Sequence, residues 1–293
     1  MNPRSKIENR KPPIALTIAT SDSGGGAGIQ ADLKSMQANG VYGASVLVAS
    51  TAQNTHAVTD VHAFPTAHIE AQCDAVASDL AVGAAKTGML FSEEIVRTVA
   101  RKVEEHDFFP LVVDPVMISK SGDTLLQDDA VAAVREALLP LATLVTPNSH
   151  EAACLAGREK LRTEADAREA ARTLHARGPE HVLVKGGHLD DESEAVDVLF
   201  SGGTEMDTLR AERLDTPHTH GTGCTYASAI AAGLARGIAL GEAVRRAKRY
   251  VTDAIRHGFA LSDAPAEGSH GPTHHFYFLS ETEPFPAEES RPA

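Results

Sequence analysis

Along most of the chain, short apolar runs alternate with longer stretches in which apolar residues recur every third or fourth position. Runs of the first kind read as buried strands and stretches of the second kind as amphipathic helices. Ile14 to Ala19 predicts a first strand, and Ile29 to Asn39, stopped by Gly40, predicts the helix after it. Tyr42 to Ser50 predicts the next strand, which ends in the polar cluster Thr51-Ala52-Gln53-Asn54-Thr55. A helix over Thr66–Ser78, a strand over Ala84–Leu90 and a helix over Ser92–Glu105, with Ser92 as N-cap, continue the alternation. Leu111 to Met117 predicts a strand carrying Asp114, followed by a polar loop, Ser119 to Asp123. Asp128–Leu138 predicts a helix, Thr143–Val145 a strand, Thr146–Glu151 the opening of a further helix, Thr163–Arg177 a helix and Val182–Val184 a strand. Ala195–Phe200 reads as an extended strand with a hairpin partner across Ser201–Thr204. An alanine-rich helix runs to Ala235, and Leu240–Gly258 predicts another whose basic residues form a solvated face. Gly268–Phe278 is expected to add a short strand, and the Pro- and Glu-rich residues 280–293 to form a disordered tail. The whole pattern predicts one α/β domain over residues 1–279, with a mainly parallel central sheet and helices on both faces.

Composition narrows the partners. A formal charge of −13 without a basic run argues against nucleic acid and anionic membranes. Cysteines at 73, 154 and 224 are odd in number and form no CxxC pair, which fits a reducing compartment. No apolar run approaches a membrane span, and Met1–Pro12 lacks the apolar core of a signal peptide, so a cytoplasmic location is expected.

The candidate chemistry lies where strands end and helices begin. His220-Gly221-Thr222-Gly223-Cys224-Thr225 is a glycine turn running into a helix, and such a turn leaves backbone N–H groups free for an anion. In that first turn the thiolate form of Cys224 is favoured, which suits a base or nucleophile; a small buried thiol behind a glycine cap fits the same residues. A second glycine turn, Ser23 to Gly28, fits neither GxxxxGK[ST] nor GxGxxG. Gln53, Asp114 and Lys185 fall at the ends of predicted strands, where open α/β sheets hold ligands. Asp114 suits Mg²⁺, or serves as a turn residue before Pro115. Asn148 and Glu151 form a capping box, or Glu151 is a second carboxylate near the metal. Lys185 is placed to neutralise phosphate charge.

With these pieces assembled, the sequence resembles the hydroxymethylpyrimidine/phosphomethylpyrimidine kinases of the ribokinase-like superfamily. The matching stretches are Thr17 to Lys34, Ala52 to Thr55, Gly88-Met89-Leu90, Asp114 to Met117, Thr146-Pro147-Asn148, Val184 to His188 and His220 to Thr225. The resemblance implies a ribokinase-like fold and ATP-dependent phosphorylation of 4-amino-5-hydroxymethyl-2-methylpyrimidine, then of its monophosphate, in thiamin biosynthesis. It also implies a pyrimidine pocket of Ala27, Asp32, Gln53, Met89 and Val116, with Gln53 matching the donor and acceptor of an aminopyrimidine edge. Asp114 and Glu151 are implied near Mg²⁺, Lys185, Asn148 and Thr222 near ATP, Gly221, Thr222 and Gly223 as the anion hole, and Cys224 as the proton acceptor. A homodimer is the implied assembly. Two departures stand out: Thr20 where glycine is common, and Thr87 where an aliphatic residue is usual. A pyridoxine or pyridoxal kinase, and more remotely a non-catalytic vitamin-binding sensor, are the alternatives.

Overall fold

The computed structural model describes residues 11–117, 128–187, 189, 194–202, 205–263 and 269–279. The expected loop Ser119–Asp123, His188, the turn residues Gly203 and Thr204, and the tail from Ser280 lie outside them.

In chain order the elements are β1 (Ile14–Asp22), α1 (Gly28–Ala38), β2 (Tyr42–Gln53), β3 (Val58–Ala63), α2 (Thr66–Asp79), β4 (Val82–Thr87), α3 (Glu93–Glu105) and β5 (Leu111–Val113). They continue with α4 (Asp128–Ala133), β6 (Leu144–Val145), α5 (Ser149–Ala156), α6 (Glu164–His175), β7 (His181–Val184), β8 (Glu194–Ser201), β9 (Glu205–Glu212), α7 (Thr222–Ala235) and α8 (Leu240–Arg256). One nine-stranded sheet runs in the order β3-β2-β1-β4-β5-β6-β7-β8-β9. Its six central strands, β2, β1, β4, β5, β6 and β7, are parallel, while β3, β8 and β9 pair antiparallel at the two edges. The expected mainly parallel sheet is therefore present, and so is the β8–β9 hairpin.

The central strands are buried on both faces, which is why they read as unbroken apolar runs and not as alternating ones. Helices α2 to α6 cover one face over Leu16, Ile18, Val46 and Val113, and α7 and α8 pack over Val112, Leu144, Leu183 and Leu199 on the other. Small residues bring α7 close to its neighbours. A Cβ on Gly233 would lie 2.9 Å from that of Ala243, at the crossing of α7 and α8.

Four expectations change. Edge strand β3 had no apolar run to announce it, since most of its side chains are exposed or half-buried. The helix expected over Asp128–Leu138 changes pitch after Ala133, passing through a π turn at Val134–Leu138 and a 3-10 turn at Leu139–Leu141. Pro140 sits there, and its ring and missing N–H are incompatible with a continued α-helix. The strand expected within Gly268–Phe278 is replaced by a single bridge, His220 to Pro272, and a 3-10 turn at Tyr277–Leu279. Finally, the basic side of α8 is not wholly solvated: Lys248 is buried, donating to Asp197 Oδ2 at 2.7 Å and Ala195 O at 3.1 Å.

Candidate active site

The C-terminal ends of the parallel strands open on a cavity of about 1030 Å³. Two glycine turns form one wall. Asp22 closes β1 and folds its carboxylate back onto the first turn, accepting from Gly24 N at 2.7 Å, Gly26 N at 3.1 Å and Ala27 N at 2.8 Å. His220, at the second turn, approaches the same carboxylate through Nε2 at 3.0 Å. Burial acts to raise the Asp22 pKa, but His220 and the backbone donors outweigh it and hold the group below its ordinary 3.8. The turns touch directly: Gly221 has φ +77°, and a Cβ on it would lie 1.8 Å from Gly26 O, so only glycine fits.

Behind Gly221, α7 begins at Thr222, whose N–H and hydroxyl are both given to Thr219 O, at 3.2 and 2.7 Å. The N–H groups of Gly223 and Cys224 have no acceptor among the described residues and stand at the positive end of the dipole. Thr222 thus differs from Gly223 in the expected anion hole, because its N–H is already used. A Cβ on Gly223 would lie 3.2 Å from Lys185 Nζ and 3.5 Å from Asp114 Oδ2. Helix start, lysine and carboxylate therefore converge on one point. Lys185 donates to Asp114 Oδ1 at 2.8 Å, and Thr146 Oγ1 reaches the same oxygen at 3.3 Å. Asp114 Oδ2 is buried without a hydrogen-bond partner among the described residues.

Asn148 caps α5, accepting from Glu151 N at 2.9 Å, and Glu151 Oε2 accepts from Asn148 N at 2.8 Å. The capping box is real, yet both residues also line the cavity. Burial pushes the Glu151 carboxyl up to about 7, against Lys185, which lowers it, and with Asp114, which raises it further. Burial alone would neutralise Lys185, but the charges of Asp114 and Glu151 keep its pKa above the ordinary lysine value.

Ala27, Gln53, Met89 and Val116 also line the cavity. Gln53 Oε1 accepts from Thr51 Oγ1 at 3.0 Å, and its Nε2 has no partner among the described residues. Thr20 donates to Met89 O at 3.0 Å, so the residue standing in place of a common glycine ties β1 to the loop after β4. Thr87 Oγ1 is buried without a partner.

Asp32 is not on the wall. It is fully buried beneath it, accepting from Lys86 Nζ at 2.9 Å on both oxygens, from Thr17 at 2.6 Å and from Ser228 at 2.6 Å. A direct contact with a pyrimidine is thereby replaced by a role under the cavity floor, and Lys86 lines the cavity in its place. The depressed thiol expected at Cys224 is also corrected. Burial pushes it up to about 12, Lys86 opposes that shift, and Asp32 and Asp114 add to it. The helix start favours a thiolate, but the burial of the thiol, with the negative charges of Asp32 and Asp114, outweighs it.

Lys86, Asp22 and His220 were not singled out in the sequence. For Asp22 a signal existed: a carboxylate two residues before a glycine run is the pattern of a side chain bonding its own turn.

A family model described as phosphomethylpyrimidine kinase matches residues 22–274. The chain belongs to the phosphomethylpyrimidine kinase family. Among its relatives, the hydroxymethylpyrimidine/phosphomethylpyrimidine kinase of Streptomyces coelicolor is 52% identical over 270 residues, covering 92% of this chain and 97% of that one. The thiamine biosynthesis bifunctional protein ThiED of Geobacter sulfurreducens is 49% identical over 91% of this chain, which spans only 54% of that longer protein. The fold is ribokinase-like. Among solved structures, pyridoxal kinase from Staphylococcus aureus in complex with AMP-PCP and pyridoxal superposes with a TM-score of 0.83, at 35% identity, over 92% of this chain and 96% of that one.

Proposed function

We propose that the chain is a hydroxymethylpyrimidine/phosphomethylpyrimidine kinase that transfers the γ-phosphoryl group of ATP to 4-amino-5-hydroxymethyl-2-methylpyrimidine and then to its monophosphate. The observation that carries this reading is the convergence of Gly223, Lys185 and Asp114 in a cavity that Gln53, Met89 and Val116 also line. Family membership and the AMP-PCP complex of a relative support ATP as the donor. Phosphoryl transfer asks little covalent chemistry of a protein; it asks for positioning and for charge at the transferring group. The free N–H groups of Gly223 and Cys224, with Lys185, supply that charge. Gln53 Oε1 and Nε2 offer the acceptor and donor that an aminopyrimidine edge requires, and Met89 and Val116 flank the ring.

Asp114 Oδ2, a buried carboxylate oxygen without a partner, is the donor that a hard divalent cation takes, and Glu151 lies in the same cavity. These two residues would hold Mg²⁺, which when bound neutralises phosphate charge. Asn148 and Thr222 line the phosphate end beside Lys185 and are assigned to ATP. Cys224 is assigned the proton of the acceptor hydroxyl; because its thiol is raised in the free chain, it needs positive charge nearby to accept it.

A coupled ADP-release assay tests the reading. Hydroxymethylpyrimidine should support turnover with kcat/KM about 10-fold or more above pyridoxal, and chromatography should show monophosphate converted to diphosphate. Absence of ADP release with the pyrimidine would reject it. Pyridoxal is the second acceptor to try, since the Staphylococcus aureus relative binds it in the same fold. The proposal includes a homodimer in the cytoplasm without nucleic-acid or membrane partners. The charge of −13 supports the latter part, and among the described residues no helix is long and apolar enough to cross a membrane. Sedimentation equilibrium checks the dimer.

A further inference from the structure

Beneath the cavity floor, Lys86 and Asp32 form an ion pair with no exposure of either side chain. Every other bond in that nest goes to Asp32: Thr17 from β1 and Ser228 from α7 both donate to it. The Lys86 ammonium is thereby fixed in place, and a Cβ on Gly88 would come within 2.8 Å of its Nζ. Ser228 stands four residues after Cys224 on α7, so the two lie on one face of the helix, a turn apart. Ser228 touches Asp32, and the turn before it presents Cys224 to the cavity that Lys86 also lines. A buried ion pair by itself is weak evidence for stability, and a hydrophobic pair would often serve as well. Its placement behind a sulfur that must carry negative charge gives it another use.

We propose that Lys86 is a positioning residue for the proton transfer, a fixed positive charge that favours the anionic form of the Cys224 sulfur against its burial, with Asp32 setting how much of that charge the sulfur feels. The proposal rests on the reading of Cys224 as proton acceptor. In the step it serves, the acceptor hydroxyl oxygen forms its bond to the γ-phosphorus, and its proton passes to the Cys224 thiolate. The bond from that phosphorus to the ADP oxygen breaks with its electron pair on ADP, and the thiol later returns its proton to water. The charges whose field reaches the sulfur are those of Lys86 from β4, Asp32 from α1, Asp114 after β5 and Lys185 after β7. Of these, Lys86 is the charge that most favours the thiolate.

The test uses the sign of the two partners. Full-length protein is alkylated with iodoacetamide across pH 7–10, and the rate at Cys224 is read on its peptide by mass spectrometry, which separates it from Cys73 and Cys154. Lys86→Met should slow alkylation of Cys224 at pH 8 by about 10-fold, and Asp32→Asn should speed it by about 10-fold, because one pKa unit is tenfold in thiolate at pH values below the pKa. A purely structural pair would move both variants the same way. Lys86→Arg should restore the wild-type rate within about threefold, and the double variant Lys86→Met/Asp32→Asn, which leaves no unpaired buried charge, should fall between the two single variants. In turnover, Lys86→Met should shift the alkaline rise of kcat upward in pH while the KM for ATP stays within about threefold. Equal or same-direction changes in Cys224 alkylation for the two single variants would overturn the proposal. So would an intact alkylation profile in the double variant accompanied by an intact profile in each single one. The alkylation needs no acceptor substrate, so a wrong assignment of the pyrimidine would leave its outcome readable.

Discussion

Among the buried lysine–aspartate pairs at the cavity, Lys86–Asp32 and Lys185–Asp114 differ in what is left over. In Lys86–Asp32 both carboxylate oxygens are filled by the lysine, Thr17 and Ser228. In Lys185–Asp114 one oxygen takes the lysine and Thr146, while Oδ2 is buried with nothing bonded to it. A buried unsatisfied oxygen costs on the order of 1–3 kcal/mol, so a fold that keeps one is holding a place for a ligand. On the proposed reading the closed pair belongs to the architecture and acts by its field, and the open pair belongs to the reaction and acts by contact.

The largest effects should separate the two pairs. Asp114→Asn is expected to lower kcat/KM by about 10³-fold while costing less stability than loss of Asp32, since the amide oxygen can still accept from Lys185 and Thr146. Asp32→Ala should instead cost about 3–5 kcal/mol of stability by stranding the Lys86 charge. If Asp114→Asn destabilised the fold as much as Asp32→Ala, the distinction would collapse. Cys224→Ala sharpens the contrast: a drop of about 10²-fold in kcat, with ATP affinity nearly unchanged, places the sulfur with the open side of the site. Gln53→Ala should raise the pyrimidine KM by about 10-fold and leave that of ATP alone. Equal effects on both would remove Gln53 from the acceptor end. The smallest effect concerns Asp22, whose carboxyl is held below its ordinary 3.8. A depressed acid stabilises the fold above its unfolded pKa, and that gain is lost as pH falls through the lower folded value. Wild type should therefore exceed Asp22→Asn by about 1 kcal/mol at pH 6, with the gap closing below about pH 4 in acid-unfolding curves.

The sheet was legible because buried parallel strands are nearly pure apolar runs, and Gln53, Asp114 and Lys185 could be placed because each ends or follows such a run. Lys86 was hidden for the opposite reason: it interrupts an apolar strand, and the aspartate that permits this lies 54 positions away. Spacing carries no trace of such a pair. The thiol of Cys224 was misjudged because a helix start is a local feature, whereas its desolvation and the charges of Asp32 and Asp114 come from residues distant in sequence. Lys248 was assigned to solvent by the helical period, and only the return of β8 beneath α8 brings Asp197 to it.

The clasp between Asp22 and His220 joins positions 198 residues apart. Contacts of that separation close late, because a long loop must first surrender its freedom. On a ribosome, the anion cradle therefore stays unbuilt until α7 has emerged and docked against the first glycine turn. A nascent chain ending before His220 would carry Gln53, Asp114 and Lys185 without that clasp, so on the proposed reading turnover waits until α7 has been made.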